Sequence, residues 1–145
     1  MLFRSSGHYF FRELRGGDDG LFAALFMANL IREGKLSLTA MRRTLPAFFI
    51  TPDLRIPLSV VPYEEVILRI RKCFSDFRET SIDGSRWETP SGFVLVRKSV
   101  TEPLFTLRIE GHSRLLFEDL LKTCLMTLPE AANEISKQIE GGKYI

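Results

Sequence analysis

The stretch Phe93-Val94-Leu95-Val96-Arg97-Lys98-Ser99-Val100-Thr101-Glu102-Pro103-Leu104-Phe105-Thr106-Leu107-Arg108-Ile109 decides the fold. Residues 93–96 and 104–109 are rich in β-prone side chains, and a polar loop, 97–103, joins them. Two strands with a short connection are the expected result. The loop gathers one guanidinium, one ammonium, two hydroxyls and several backbone N–H groups. That donor set suits a phosphate dianion, because Arg supplies paired charge-assisted hydrogen bonds while hydroxyls and amides fill the remaining oxygen sites. The plain alternative is a hairpin loop with polar residues on its surface. Strand alternation turns Lys98 away from Arg97, which predicts a solvated Lys98. Arg108, on the next strand, either approaches the loop or simply lines the exposed face.

Outward from this segment the pattern extends in both directions. Leu54, Ile56 and Leu58 alternate with polar neighbours and predict a strand. After Pro62, Val66, Ile67, Ile70, Phe74 and Phe77 line one side of a helix. Residues 79–89 form a strand region interrupted near Asp83-Gly84, and Pro90-Ser91-Gly92 is a turn. Ser113 caps a helix with Phe117, Leu120, Leu121, Cys124 and Leu128 on one stripe. The order β-α-β-β-β-α predicts an α+β domain, a four-stranded antiparallel sheet with two helices on one face. Trp87 is expected half-buried on its strand, or on the open face where it could stack on a ring. From Pro129 the tail adds a weak helix that frays at Gly141-Gly142.

The first part of the chain reads differently. Asp18 or Asp19 caps a helix that runs to Glu33, with Gly34 as its stop. Leu21, Phe22, Leu25, Phe26, Met27, Leu30 and Ile31 occupy almost every face of it. A helix apolar nearly all round is normally buried in a larger protein. Self-association through residues 20–33 is therefore expected. Ser37 caps a second short helix, ended by Pro46. Asp18 and Asp19 resemble a metal pair only superficially, since capping and the helix dipole account for both.

At 45% hydrophobic and 26% charged, the chain has the balance of a folded protein. A net charge of +2 is too weak to imply a nucleic-acid partner. Cys73 and Cys124 fall on apolar helix faces, which predicts buried reduced thiols rather than a metal site. No apolar run reaches membrane-spanning length and no signal-peptide pattern opens the chain, so no membrane association and a cytoplasmic location are expected.

The run Arg97-x-Ser99-x-Thr101-x-Pro103 resembles the phosphate-binding loop of the α-D-phosphohexomutases, the phosphomannomutase/phosphoglucomutase family. Ser6-Gly7-His8 followed by Tyr9-Phe10-Phe11 resembles the end of that family's sugar-binding loop. Asp18-Asp19-Gly20-Leu21-Phe22-Ala23-Ala24-Leu25 is similar to the helix start that follows it, and Leu54-Arg55-Ile56-Pro57 to the strand entering the fourth domain. Three positions depart from the pattern. Arg4 stands where the family has Glu, Phe3 where it has Gly, and Val100 where Asn or Gly is usual.

The resemblance implies that residues 1–47 are the end of a third mutase domain and residues 48–145 a fourth, with a TATA-binding-protein-like fold. It implies that Arg97, Ser99 and Thr101 hold the phosphate of a hexose phosphate, that Ser6 contacts the sugar, and that His8 inherits a catalytic acid/base role near the reacting oxygens. For Ser6 and His8 the plain alternative is a flexible N-terminal segment. His112 has no motif around it and reads as part of a helix start. The family's phosphorylated Ser run and its acidic metal loop have no counterpart in this sequence. The chain is thus expected to be the C-terminal part of an isomerase of carbohydrate metabolism, an intramolecular phosphotransferase, inactive alone and without a cofactor of its own. Mg²⁺ is expected only in the full-length enzyme. A free-standing phospholigand-binding or regulatory module is the alternative.

Overall fold

The computed structural model describes residues 2–3, 8–35, 37–45 and 48–140. The chain divides into two compact units, Met1–Pro46 and Ala47–Ile145.

In the first unit, β1 (Leu2–Phe3) pairs antiparallel with β2 (Tyr9–Phe10). A 3₁₀ turn at Arg12–Leu14 follows, then α1 (Gly20–Arg32) and α2 (Leu38–Thr44). Asp19 starts α1 by accepting the Phe22 N–H at 2.9 Å. Gly34, at φ +67°, stops it by turning the chain into the left-handed region. Ser37 starts α2 by accepting the Ala40 N–H at 3.3 Å. The expected terminator, Pro46, lies outside the described residues. Phe11 is buried, with its ring 4.7 Å from that of Phe22 and 5.9 Å from that of Phe26. No residue of α1 itself is buried.

The second unit runs β3 (Phe49–Ile50), β4 (Leu54–Pro57), α3 (Tyr63–Cys73), β5 (Arg78–Thr80), β6 (Ser85–Thr89), β7 (Gly92–Lys98), β8 (Leu104–Gly111), α4 (Arg114–Thr127) and α5 (Ala132–Glu140). The strands form one antiparallel sheet in the order β3-β8-β7-β6-β5, with β4 also pairing along β8. It has six strands instead of the expected four. The turn at Asp83-Gly84 divides the 79–89 region into two paired strands. At the other edge, Pro52 has no N–H to give, and Thr51 bridges the gap between β3 and β4. The Thr51 N–H donates to the Ile109 carbonyl at 2.9 Å, and its hydroxyl accepts the Ile109 N–H at 3.0 Å.

The register decides which side chains meet the helices. Trp87 lies opposite Val94, and Val94 opposite Ile109. Val96 lies opposite Leu107, and Leu107 opposite Leu54. These residues form a single core with Val66 and Ile70 of α3, Phe117, Leu120 and Cys124 of α4, and Ile135 and Ile139 of α5. The tail therefore supplies a third packed helix, because Ile135 and Ile139 repeat at i, i+4 on one side. Gly141 and Gly142 lie outside the described residues. Trp87 is 1% exposed, not half-buried, since its side chain points to the helix-covered face. Cys124 is buried, and burial pushes its thiol pKa up. Cys73, the last residue of α3, is exposed against expectation, while Phe74 just beyond it is the one that turns into the core. Gln138 of α5 closes the free edge of β4. Its amide accepts the Arg55 N–H and donates to the Arg55 carbonyl, both at 2.8 Å, leaving no template for another strand at that residue.

Candidate functional site

Alternation along β7 sends Arg97 and Lys98 to opposite faces of the sheet. Arg97 pairs with Thr106, and Thr106 with Arg55, so all three stand on the face away from the helices. Lys98 pairs with Phe105 on the helix side. It is not simply solvated. Its ammonium donates to Glu64 at 2.8 Å and lies 5.3 Å from the centre of the Tyr63 ring. The Lys98 hydrogen bond holds the Glu64 carboxyl below the usual carboxylate range. Lys98 is thereby committed to the end of α3 that carries Tyr63 and Glu64.

The loop after β7 is closed by its own hydrogen bonds. The Ser99 N–H donates to the Leu104 carbonyl at 3.0 Å, and the Glu102 N–H donates to the Ser99 hydroxyl at 3.1 Å. The Leu58 N–H donates to the Pro103 carbonyl at 3.0 Å, fixing the loop exit beside the end of β4. Arg55 pairs with the Glu102 carboxylate. Ser99 uses its hydroxyl oxygen as acceptor, which keeps its proton for donation elsewhere. Thr101 and Val100 are exposed at the loop tip. A β-branched Val at the loop tip, 94% exposed, obstructs nothing behind it.

Arg97 stands at the loop entrance, about half exposed, with its Nε 3.1 Å from Asp83 Oδ1. Arg108 does not join the loop. It lies opposite Leu95 and contacts Asp53 at 3.3 Å.

In the first unit, His8 Nδ1 contacts the Asp18 carboxylate. Tyr9, Asp19, Gly20 and Ala23 complete an open cleft around this pair. The two acidic residues thus divide the work: Asp19 caps α1 and Asp18 holds His8. Ser6, the expected sugar contact, lies outside the described residues. The backbone N–H of His112 donates to the Ser91 carbonyl at 2.9 Å just before Ser113, which caps α4. Among the described residues, no group of three or more His, Cys, Asp or Glu side chains is placed to hold a metal ion.

Sequence reasoning missed three partners: Asp83 for Arg97, Asp18 for His8, and Arg55 for Glu102. Only the first left a signal, the Asp-Gly turn two strands from the loop. The other two depend on tertiary contacts with no local spacing.

No family model matches the chain. Its sequence is 32% identical over 112 residues to a phosphomannomutase/phosphoglucomutase of Pseudomonas syringae pv. tomato, covering 75% of this chain and 24% of that protein. It is 31% identical over 118 residues to a phosphoglucomutase of Neisseria gonorrhoeae, covering 78% of this chain and 25% of that protein. The fold matches the crystal structure of a phosphoglucomutase/phosphomannomutase family protein from Burkholderia thailandensis. The TM-score is 0.67 with 28% identity, covering 96% of this chain and 28% of that one. The chain is a relative of the phosphomannomutase/phosphoglucomutase family. It spans about a quarter of the length of these phosphohexomutases. The mixed α/β architecture, an antiparallel sheet with helices, is that of a domain of this family.

Proposed function

We propose that this chain acts as the C-terminal part of a phosphomannomutase/phosphoglucomutase-type enzyme. In this reading residues 1–47 close a third domain, and residues 48–145 form a TATA-binding-protein-like fourth domain that grips the phosphate of a hexose phosphate. The observation that carries it is the closed loop after β7. Arg97, about half exposed, stands at the loop entrance, and Ser99 retains a hydroxyl proton to donate. A dianionic oxygen cluster uses those donors. Thr101, exposed at the tip, supplies a further hydroxyl.

The work done here is positioning. A sugar held by one phosphate presents its other end to groups outside these residues, which lowers the entropic part of the barrier without any bond-making by the loop. The chain alone is expected to give no mutase turnover with hexose phosphate and magnesium. His8 and Ser6 belong to the same reading as residues near the sugar. Asp18, by accepting from Nδ1, leaves His8 Nε2 as the nitrogen available to a substrate oxygen.

Self-association is part of the proposal. Leu21 and Leu25 on α1 are 71% and 63% exposed, and Phe26, Met27 and Ile31 are exposed beside them. A second copy is the partner that covers them. Sedimentation velocity is expected to show a dimer that dissolves in a Phe22→Glu, Phe26→Glu double variant. A monomer at every concentration would contradict it.

Saturation-transfer NMR with mannose 1-phosphate tests the phosphate reading. The signal is expected to be displaced by inorganic phosphate and not by free mannose. Displacement by mannose alone would remove the loop from the account.

A further inference from the structure

We infer that Asp83 is a built-in competitor for Arg97, an intramolecular carboxylate that the phosphate has to displace from the guanidinium. The inference rests on the proposed phosphate reading of the loop and adds the residue that sets its affinity.

Three observations converge. Asp83 Oδ1 lies 3.1 Å from Arg97 Nε. Both side chains are about half exposed, at 51% and 46%, so an incoming anion can reach the pair. The third is the backbone behind them. Gly84 follows Asp83 at φ +92°, and a Cβ there would lie 2.3 Å from the Val96 carbonyl oxygen and 3.0 Å from Arg97 Cα. The turn between β5 and β6 therefore presses directly on β7 at Arg97, and only glycine permits that approach. The carboxylate is held at its target by the sheet itself.

The chemistry gives the contact a cost for the ligand. A guanidinium binds an oxyanion best through two parallel N–H bonds, either from its two terminal nitrogens or from Nε and one terminal nitrogen. Asp83 occupies the edge that includes Nε. Phosphate arriving at Arg97 either takes the remaining edge beside a like charge or expels the carboxylate. A tethered monoanion yields to a dianion more readily than to another monoanion, so the contact favours phosphate monoesters in their dianionic form. Of the other ion pairs on this face, those of Arg108 with Asp53 and Arg86 with Glu88 lie away from the loop entrance, and Glu102, within the loop, pairs with Arg55 rather than with Arg97.

The test uses the full chain, ¹⁵N-labelled and titrated with inorganic phosphate at low ionic strength. An exposed ion pair is worth about 0.2–1 kcal/mol, which converts to a gain of about 1.5- to 5-fold in affinity on its removal. Asp83→Asn is expected to tighten phosphate by that factor, and Asp83→Ala likewise. Asp53→Asn removes the same charge from the partner of Arg108 and is expected to change affinity by less than Asp83→Asn. The Arg97 Nε–H resonance is expected to move in Asp83→Asn before any phosphate is added. Affinity unchanged or weakened in both Asp83 variants overturns the inference, and so does equal tightening in Asp53→Asn. Wild-type binding with both Asp83 variants unresponsive would sink this inference alone. No phosphate response at residues 97–103 in any variant would sink the underlying reading with it.

Discussion

Helices α1 and α4 are nearly the same length, both start on a side-chain cap, and both are rich in Leu and Phe, yet they are used in opposite ways. In α4 Phe117, Leu120 and Cys124 recur on one stripe and disappear into the core over β7 and β8, leaving Leu115 and Met126 outside. In α1 the apolar residues go all round, and none is buried. Composition makes a helix, but only a stripe matched to a sheet gives it a place. The second unit has such a sheet. The first unit offers α1 a short β1–β2 pair and the Phe11 ring.

The largest expected effect separates the two helices directly. Phe117→Ala should destabilise the second unit by about 3–5 kcal/mol, because it leaves a cavity under the sheet. Leu25→Ala, on an exposed face, should change stability by no more than about 0.5 kcal/mol. The protein's single Trp, Trp87, is buried in the second unit, so its fluorescence in urea reads that unit, while far-UV circular dichroism reads the helices of both. Equal losses in the two variants would erase the distinction between the helices.

A smaller effect sharpens it through pH. The hydrogen bonds from Arg71 lower the Glu79 carboxyl from 4.5 to about 2. A lowered folded-state pKa contributes stability above the unfolded value, and that stability is lost as pH falls through the folded value. Arg71→Ala should therefore lower stability at pH 7, and the loss should fade as pH falls from 4.5 to about 2. A loss independent of pH would mean that Arg71 acts through packing alone.

The smallest effect concerns the thiols. Cys73 at the exposed end of α3 should react with a thiol reagent at once, and Cys124 inside α4 only when the second unit opens. Two fast thiols would show that α4 is not held as described.

Much of this was legible in the sequence, for physical reasons. Runs of β-prone residues marked β7 and β8, and the period of two put Arg97 and Lys98 on opposite faces. The caps at Asp19, Ser37 and Ser113 were readable, because a cap is a local contact. The extra strands were not. β3 depends on Thr51 replacing a backbone partner opposite Ile109, and nothing near Thr51 encodes that. Trp87 looked amphipathic until the register placed it opposite Val94 on the covered face. In the candidate site, Arg97 and Ser99 came from a local motif. Asp83, in the turn between β5 and β6, contacts Arg97, and Arg55, on β4, pairs with Glu102; both contacts join residues far apart in sequence.

The central claim is that the loop after β7 binds phosphate through Arg97. Titration of the ¹⁵N-labelled chain with glucose 6-phosphate tests it most directly. The account predicts that the amides of residues 97–103 shift and saturate together, that Arg97→Ala abolishes the shifts, and that Lys98→Ala leaves them nearly unchanged because Lys98 faces Glu64 on the other side of the sheet. Shifts that survive in Arg97→Ala, or that fall outside this loop, would contradict it.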